Sequence, residues 1–409
     1  VKRVLAINLG WEQEPLLDLL GSLNLEIYGV HANDGYYKGI RYHDLLVADP
    51  RDLPRLLLFA QKVRPDAVIS DQCDYSQFAQ AVIASRLGLP GPSLRDAQIG
   101  NSKLLQRTLG WQAGLACPCF TLCLDAQDVL RFGREHGYPL IIKPVDNRGS
   151  FGVNRVDRES DVAPAFYDAL IHSHSRGVLA ETFIQGRHLT VDGYVFQGLG
   201  PRTLAVATKT KLPQKQSIID GEITYPGELP PALYDKASAA LERTAAALGF
   251  GFGFLHGEFI LTDAGEVYLT EIANRGGGVF TSEIIVPNVS GIDILSVYVN
   301  DCLGTPLLPI SGDPNHPGRT PTVMQLFAFS DLQEGIVKKI SGIDLLEARE
   351  DVLRLKMLIR RGDVVRGIAS GADRHGVIIM TAPEPRELKR RLSEALAMLQ
   401  VTIEKRDAS

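Results

Sequence analysis

Three short apolar runs, each followed by a stretch of helical periodicity, constrain residues 1–95 more than any other feature. Val4-Leu5-Ala6-Ile7, Leu25 to Val30 and Ala67-Val68-Ile69-Ser70 read as strands. Pro15 to Leu20, Leu53 to Val63 and Gln77 to Arg86 read as the helices that follow them. Strands separated by helices pair in parallel through right-handed crossovers, so the segment predicts a doubly wound parallel sheet. Ligands of such sheets lie beyond the carboxyl ends of the strands, here Asn8–Gly10 and Asp71–Asp74. A dinucleotide-binding fingerprint requires Gly-x-Gly-x-x-Gly after the first strand, and Asn8-Leu9-Gly10-Trp11-Glu12 does not supply it. That loop either seats a small substrate or is an ordinary strand-to-helix turn.

At 409 residues the chain needs two to four packed units, given roughly 100–200 residues per domain. Forty-three basic against forty-eight acidic residues give a net charge of −5, without the basic excess that nucleic acid or an anionic membrane would demand. No window reaches the ~18 uninterrupted apolar residues of a membrane helix. The opening run VKRVLAINLG lacks the small-residue cleavage site of a signal peptide. Five cysteines in this length do not make a disulfide framework. A cytoplasmic enzyme is the expectation.

The chemistry concentrates between residues 139 and 278. Leu140-Ile141-Ile142 reads as a buried strand, Lys143 as a lysine too costly to bury unless an anion meets it, and Pro144 as the end of the ladder. Asp146-Asn147-Arg148-Gly149-Ser150-Phe151-Gly152 follows, and its glycines and serine let backbone amides turn toward a phosphate. Taken alone, this loop also fits a hairpin tip with a snorkelling lysine. Ala180-Glu181-Thr182-Phe183-Ile184 offers the apolar slot and backbone hydrogen bonds that an adenine ring needs. Phe259-Ile260-Leu261 and Val267-Tyr268-Leu269 flank the turn Thr262-Asp263-Ala264-Gly265. The resulting hairpin sets Glu258 and Glu271 on adjacent antiparallel strands. Paired carboxylates in a phosphate-binding context suit magnesium, whereas two solvated strand-end glutamates are the plain alternative. Arg275 could hold a carboxylate or acyl-phosphate, and Gly276-Gly277-Gly278 allow close approach of a ligand.

Taken in order, Asn101-Ser102-Lys103, Lys143 with its glycine loop, Glu181–Ile184, Glu258 and Glu271-Ile272-Ala273-Asn274-Arg275 resemble the ATP-grasp superfamily. The wording from Glu271 to Gly278 resembles amino-acid (dipeptide) ligases, which are carboxylate–amine ligases, more than biotin carboxylase. The resemblance implies an α/β and α+β multidomain chain. Residues 1–95 would form an N-terminal α/β domain, and 96–185 linker helices with the lid subdomain. Residues 186–305 would form the grasp subdomain with the metal site, and 306–409 a C-terminal α+β domain. By position, Lys103 and Lys143 resemble phosphate-contacting lysines, and Asn147, Gly149, Ser150, Phe151 and Gly152 the loop that closes over the triphosphate. Glu181, Thr182, Phe183 and Ile184 resemble the adenine hinge, and His188 a ribose-side contact. Glu258 and Glu271 resemble ligands of Mg2+ or Mn2+, and Arg275 the transition-state arginine. Ala273 departs from the asparagine that many members carry two residues after the second metal glutamate. The resemblance further implies ATP, small-molecule carboxylate and amine substrates, an acyl-phosphate intermediate and a homodimer. A purine-pathway or biotin-carboxylase-type relative, and a nucleotide-binding regulator without turnover, are the alternatives.

Other clusters carry less. Cys117-Pro118-Cys119 with Cys123 lacks a fourth zinc ligand. His172-Ser173-His174 reads as a helix end. His256 shares a strand face with Glu258, so it either touches substrate or the metal's surroundings or packs in the core. Lys209-Thr210-Lys211 and Lys215 read as a charged strand end and loop. Pro306 to Pro321 reads as a linker. Val323 to Phe329, Gly335 to Ile340 and Val377 to Met380 read as strands, and Pro385 to Leu399 as a helix with a solvated basic face at Lys389-Arg390-Arg391.

Overall fold

A computed structural model describes residues 1–147, 149, 151–211, 220–307, 320–327, 334–365 and 374–404. The chain begins β1 (Lys2–Ile7), α1 (Glu14–Ser22), β2 (Leu25–His31), β3 (Asp44–Val47), α2 (Leu53–Val63), β4 (Ala67–Ile69) and α3 (Asp74–Leu87). Two short helices follow, α4 (Leu94–Gly100) and α5 (Lys103–Gln112). Then come β5 (Phe120–Cys123), α6 (Ala126–His136), β6 (Leu140–Pro144), β7 (Asn154–Val156), α7 (Val162–His172) and β8 (Val178–Thr182). The middle of the chain runs β9 (Arg187–Phe196), β10 (Gly200–Lys211), β11 (Asp220–Tyr225), α8 (Pro231–Leu248), β12 (Gly253–Leu261) and β13 (Val267–Ala273). A π-helical turn at Thr281–Ile285 leads into α9 (Val286–Ser290) and α10 (Ile294–Cys302). The last part holds β14 (Thr322–Phe327), β15 (Gly335–Ser341), α11 (Ile343–Glu347), β16 (Val352–Met357), β17 (Val364–Val365), β18 (Gly376–Thr381), α12 (Pro385–Met398) and β19 (Gln400–Glu404).

The residues form two compact units, each built from separate stretches of chain. The first comprises Val1–Pro118, Thr190–Val206 and Pro231–Pro317. Its N-terminal sheet has the order β3-β2-β1-β4 and is parallel throughout, as the strand–helix alternation requires. In α2, Leu56, Phe59, Ala60 and Val63 fall at i, i+3, i+4 and i+7, and pack with Leu5, Ile7, Val30 and Val68 of the sheet. The Asp52 carboxylate caps the helix by accepting from the Arg55 amide. Leu56 is fully buried, and its truncation to alanine would cost about 2–5 kcal/mol. β3 escapes a sequence reading because the polar, tyrosine-rich loop before it gives no period. The same unit holds the hairpin of β12 and β13, joined at the expected turn.

The second unit comprises Cys119–Leu189, Ala207–Pro230 and Gly318–Ser409. Its antiparallel sheet β5-β8-β6-β7 carries α6 and α7, which bury Val129, Phe132, Phe166 and Ala169 against Leu140, Ile142, Val178 and Ala180. Alternation along a strand therefore turns Ile141 and Lys143 of β6, and Leu179 and Glu181 of β8, to the opposite face. Pro144 ends the ladder as expected: it pairs with Val178 as the last residue of β6. The proline is tolerated because β7 stops pairing at Ile142, so its missing N–H deprives no strand on that side. Toward the C-terminus β14, β18 and β16 pair antiparallel beneath α11 and α12, around Leu346, Ile378, Met380, Leu388 and Leu392. The basic face of α12 is paired: Lys389 meets Glu228 at 2.6 Å, Arg390 meets Glu394, and Arg391 meets Glu387 and Asp351. No described helix is long and apolar enough to cross a membrane. Residues 328 and 329 of the last predicted strands, and most of the predicted linker, lie outside the described residues.

Candidate functional site

In the second unit the expected phosphate lysine has an acidic neighbour. Lys143 and Glu181 lie diagonally across the β6–β8 ladder, where Ile141 pairs with Glu181 and Lys143 with Leu179. Their charged groups are 2.8 Å apart, with side chains only 8% and 4% exposed. The pair meets the cost of burying either charge alone. Beyond β6 the loop is tied to the end of α7. The Asp146 carboxylate accepts from the Ser173 hydroxyl and from the His174 and Ser175 amides, and the Asn147 amide donates to the His172 carbonyl at 2.6 Å. The Phe151 ring stacks on His172 at 6.0 Å. Gly152 has φ +71°, and a side chain there would come within 2.9 Å of the His172 Cβ, so only glycine fits. Gly149 belongs to the same loop, and Ser150 lies outside the described residues.

Past Glu181, the Thr182 amide donates to the Cys119 carbonyl and the Phe183 amide to the Pro139 carbonyl. The Arg155 guanidinium lies 4.4 Å from the centre of the Phe183 ring. Ile184 follows, half-buried, and His188 sits near the start of β9. Lys209 and Lys211 both reach Asp220 on β11, at 3.1 and 2.6 Å, the Lys209 side chain being 5% exposed; Lys215 lies outside the described residues. The Cys123 thiol is pushed up to about 12 by burial, which makes it inert.

In the first unit the two glutamates are directly opposed, Glu258 on β12 against Glu271 on β13. The register shifts just beyond Glu258, and this bulge re-aims the carboxylate end relative to the rest of the hairpin. Lys103 is 6% exposed and its ammonium is 2.7 Å from the Glu271 carboxylate. Helix α5 delivers more than this one side chain. Lys103, Gln106 and Arg107 stand at i, i+3 and i+4, hence on one face. Gln106 both donates to the Ile272 carbonyl and accepts from the Ile272 amide, and Arg107 donates to the Thr270 carbonyl at 2.5 Å. Three successive residues of β13 are thus held by one helix face. Sequence reasoning found Lys103 and missed Gln106 and Arg107; their spacing from Lys103 was the available signal. Opposed carboxylates supply only oxygen donors, which fits a hard divalent cation such as Mg2+ or Mn2+.

Arg275 follows β13. Burial works against its charge, but the Asp74 carboxylate, 2.6 Å away at the start of α3, outweighs this and raises its pKa. The Gly276 amide donates to Asp71 at 2.8 Å, and a side chain at Gly276 would lie 2.5 and 2.8 Å from the two Asp71 oxygens and closer still to the Ser282 hydroxyl. At Gly277 the tight neighbours are His256 and Thr281. At Gly276 and Gly277 the space that a Cβ would take is filled by protein groups. His256 bonds Asp192 of β9 at 2.7 Å. After Gly278, Val279 and Phe280 both adopt left-handed φ values, 57° and 62°, which costs a β-branched residue energy and marks a constrained turn. A cavity of about 440 Å³ lies elsewhere in this unit, lined among others by Asp96, Gln197 and Asp301 and by none of the expected site residues.

Residues 136–283, which contain Lys143, Glu181, Glu258, Glu271 and Arg275, match the sequence profile of the ATP-grasp domain. The chain contains an ATP-grasp domain. Residues 329–404 match L-amino acid ligase C-terminal domain 2. An uncharacterized protein, y4rH, of Sinorhizobium fredii is 26% identical over 306 residues, covering 74% of this chain and 61% of that protein. A D-alanine–D-alanine ligase of Laribacter hongkongensis is 28% identical over 208 residues, covering 49% and 65%. The match therefore spans less than two thirds of either relative. The fold is shared with the L-amino acid ligase of Bacillus licheniformis, at TM-score 0.82 and 21% identity over 99% of both chains.

Proposed function

We propose that this protein is an ADP-forming carboxylate–amine ligase that joins an amino-acid-like carboxylate to an amine in an amide or peptide bond. The observation that carries the reading is the opposed pair Glu258 and Glu271 with the Lys103 ammonium already on Glu271, in a chain with an L-amino acid ligase C-terminal domain. In the reaction the substrate carboxylate attacks the γ-phosphorus of ATP, giving an acyl-phosphate and ADP. The amine then attacks the acyl carbon, and phosphate leaves. Magnesium or manganese, when bound, neutralises charge that builds on the transferring phosphoryl oxygens. Glu258 and Glu271 hold that ion. Lys103 and Lys143 stabilise phosphate charge, and the amides of the Asn147–Gly152 loop add hydrogen bonds as the loop closes and excludes water. Glu181 to Ile184, with His188, take the adenosine. Arg275, oriented by Asp74, holds the acyl-phosphate oxygens beside Gly276, Gly277 and His256.

The test is incubation with MgATP and pools of L-amino acids, reading phosphate release and product mass. ADP with a condensed product supports the reading. Phosphate release only with bicarbonate or a ribotide would move the protein to another branch of the superfamily. Tight ATP binding without turnover on any pool would make it a nucleotide-binding regulator, and AMP as product would contradict the ATP-grasp chemistry.

A further inference from the structure

Beneath the Arg275 turn lie two carboxyl groups that the reaction does not use. Asp71, at the carboxyl end of β4, is fully buried, and Glu283, in the π-helical turn, is 7% exposed. The Ser282 hydroxyl is 3.0 Å from one Asp71 oxygen and 3.2 Å from one Glu283 oxygen. Asp71 also accepts from the Gly276 and Gln72 amides; Gln72, whose backbone is left-handed, donates through its side chain to Glu283 and to the Glu12 carbonyl. Two buried carboxyl groups held on one hydroxyl repel strongly when both are ionised, which favours a single proton between them.

We propose that Asp71 and Glu283 share one proton, and that this pair clamps the Arg275–Phe280 turn to the end of β4 as positioning residues for Arg275. The inference rests on the ligase reading for its kinetic consequence alone. Burial first, and the Asp71 charge second, push the Glu283 carboxyl well up, so Glu283 carries the proton and Asp71 stays the acceptor for the Gly276 amide. The surrounding titratable groups are Glu12 after β1, Arg275 with Asp74, His256 against Gly277, and Tyr298 and Cys302 of α10. Burial raises the last two and keeps them neutral.

Infrared spectroscopy and amide hydrogen exchange test the clamp without relying on turnover. The full-length protein should show a protonated carboxyl band persisting at pH 8 that Glu283→Gln removes. Glu283→Gln keeps a donor toward Asp71, so the Gly276 and Val279 amides should stay protected and kcat should stay within ~3-fold of wild type, as expected when one hydrogen bond replaces another. Asp71→Ala should lose that protection and reduce kcat by ~10-fold or more with little change in KM for ATP, the cost of losing a charged acceptor. If Asp71→Ala does not fold, Ser282→Ala and Glu283→Ala give the same exchange comparison. Absence of the band at pH 8, or a Glu283→Gln variant as impaired as Glu283→Ala, would overturn the proposal. A wild-type protein inactive on every pool would instead count against the ligase reading, with band and exchange still deciding the clamp.

Discussion

Replacing Lys143 by methionine separates what the lysine does for the fold from what it does for phosphate. The side chains of Lys143 and Glu181 are 8% and 4% exposed and 2.8 Å apart. Removing one partner of such a pair leaves the other charge without compensation, at a cost of about 3–5 kcal/mol. Lys143→Met should therefore lower the unfolding free energy by that amount in urea titrations. Lys143→Met/Glu181→Leu removes both charges from a site walled by Ile141 and Leu179, and should return to within ~1 kcal/mol of wild type. ATP affinity, measured by calorimetry, should fall by ~10-fold or more in both variants, since both lose the charge-assisted bond from Lys143 to phosphate. A single variant that loses less than ~1 kcal/mol, or a double variant no more stable than the single, would refute the assignment of Lys143 and Glu181 as a mutually required buried pair.

Glu271→Gln removes a hard anionic donor, so the Mg2+ concentration for half-maximal activity should rise by ~10-fold or more; an unchanged titration would remove Glu271 from the metal site. Gly276→Ala should destabilise the protein by about 1–3 kcal/mol through the contacts with the Ser282 hydroxyl and the Asp71 carboxylate. Stability unaffected by Gly276→Ala would show that the turn yields. Glu283 has a folded pKa raised above its unfolded value near 4.5, so the folded state binds more protons. Unfolding free energy should then fall as pH rises above that value, by at most ~1.4 kcal/mol per pH unit, until the folded group gives up its proton. Glu283→Gln should flatten this slope, and superimposable pH profiles would contradict the assignment.

The strands and helices that a period could find were legible in the sequence. Leu53–Val63 emerges with the expected bounds, and the hairpin carrying Glu258 and Glu271 forms around the expected turn. Lys103, Lys143, Glu181 and Arg275 were visible as residue types at telling spacings. What the sequence could not supply was their partners. Asp74 and Arg275 are 201 residues apart, and Ser282 and Asp71 are separated by 211, distances across which periodicity carries no information. The glycine run at 276–278 drew a ligand-approach reading because glycine reports only that something comes close. The atoms that do so at Gly276, those of Asp71 and Ser282, appear only in the folded chain. Strand β3 and helix α8 gave little contrast, the first being four residues long and the second burying alanines, at 237, 240 and 245, in a helix with alanines on its exposed face as well.

The grip of α5 on β13 has an evolutionary corollary. Gln106 and Arg107 dress the open rim of the hairpin with side-chain hydrogen bonds where another strand would otherwise bind, and Lys103, one turn earlier, supplies a cation to Glu271. Insertion or deletion of a single residue between Lys103 and Gln106 would turn the lysine away from the other two by about 100°. Protection against unwanted pairing and placement of charge beside Glu271 must therefore be inherited as one unit, and drift at either is checked by the other.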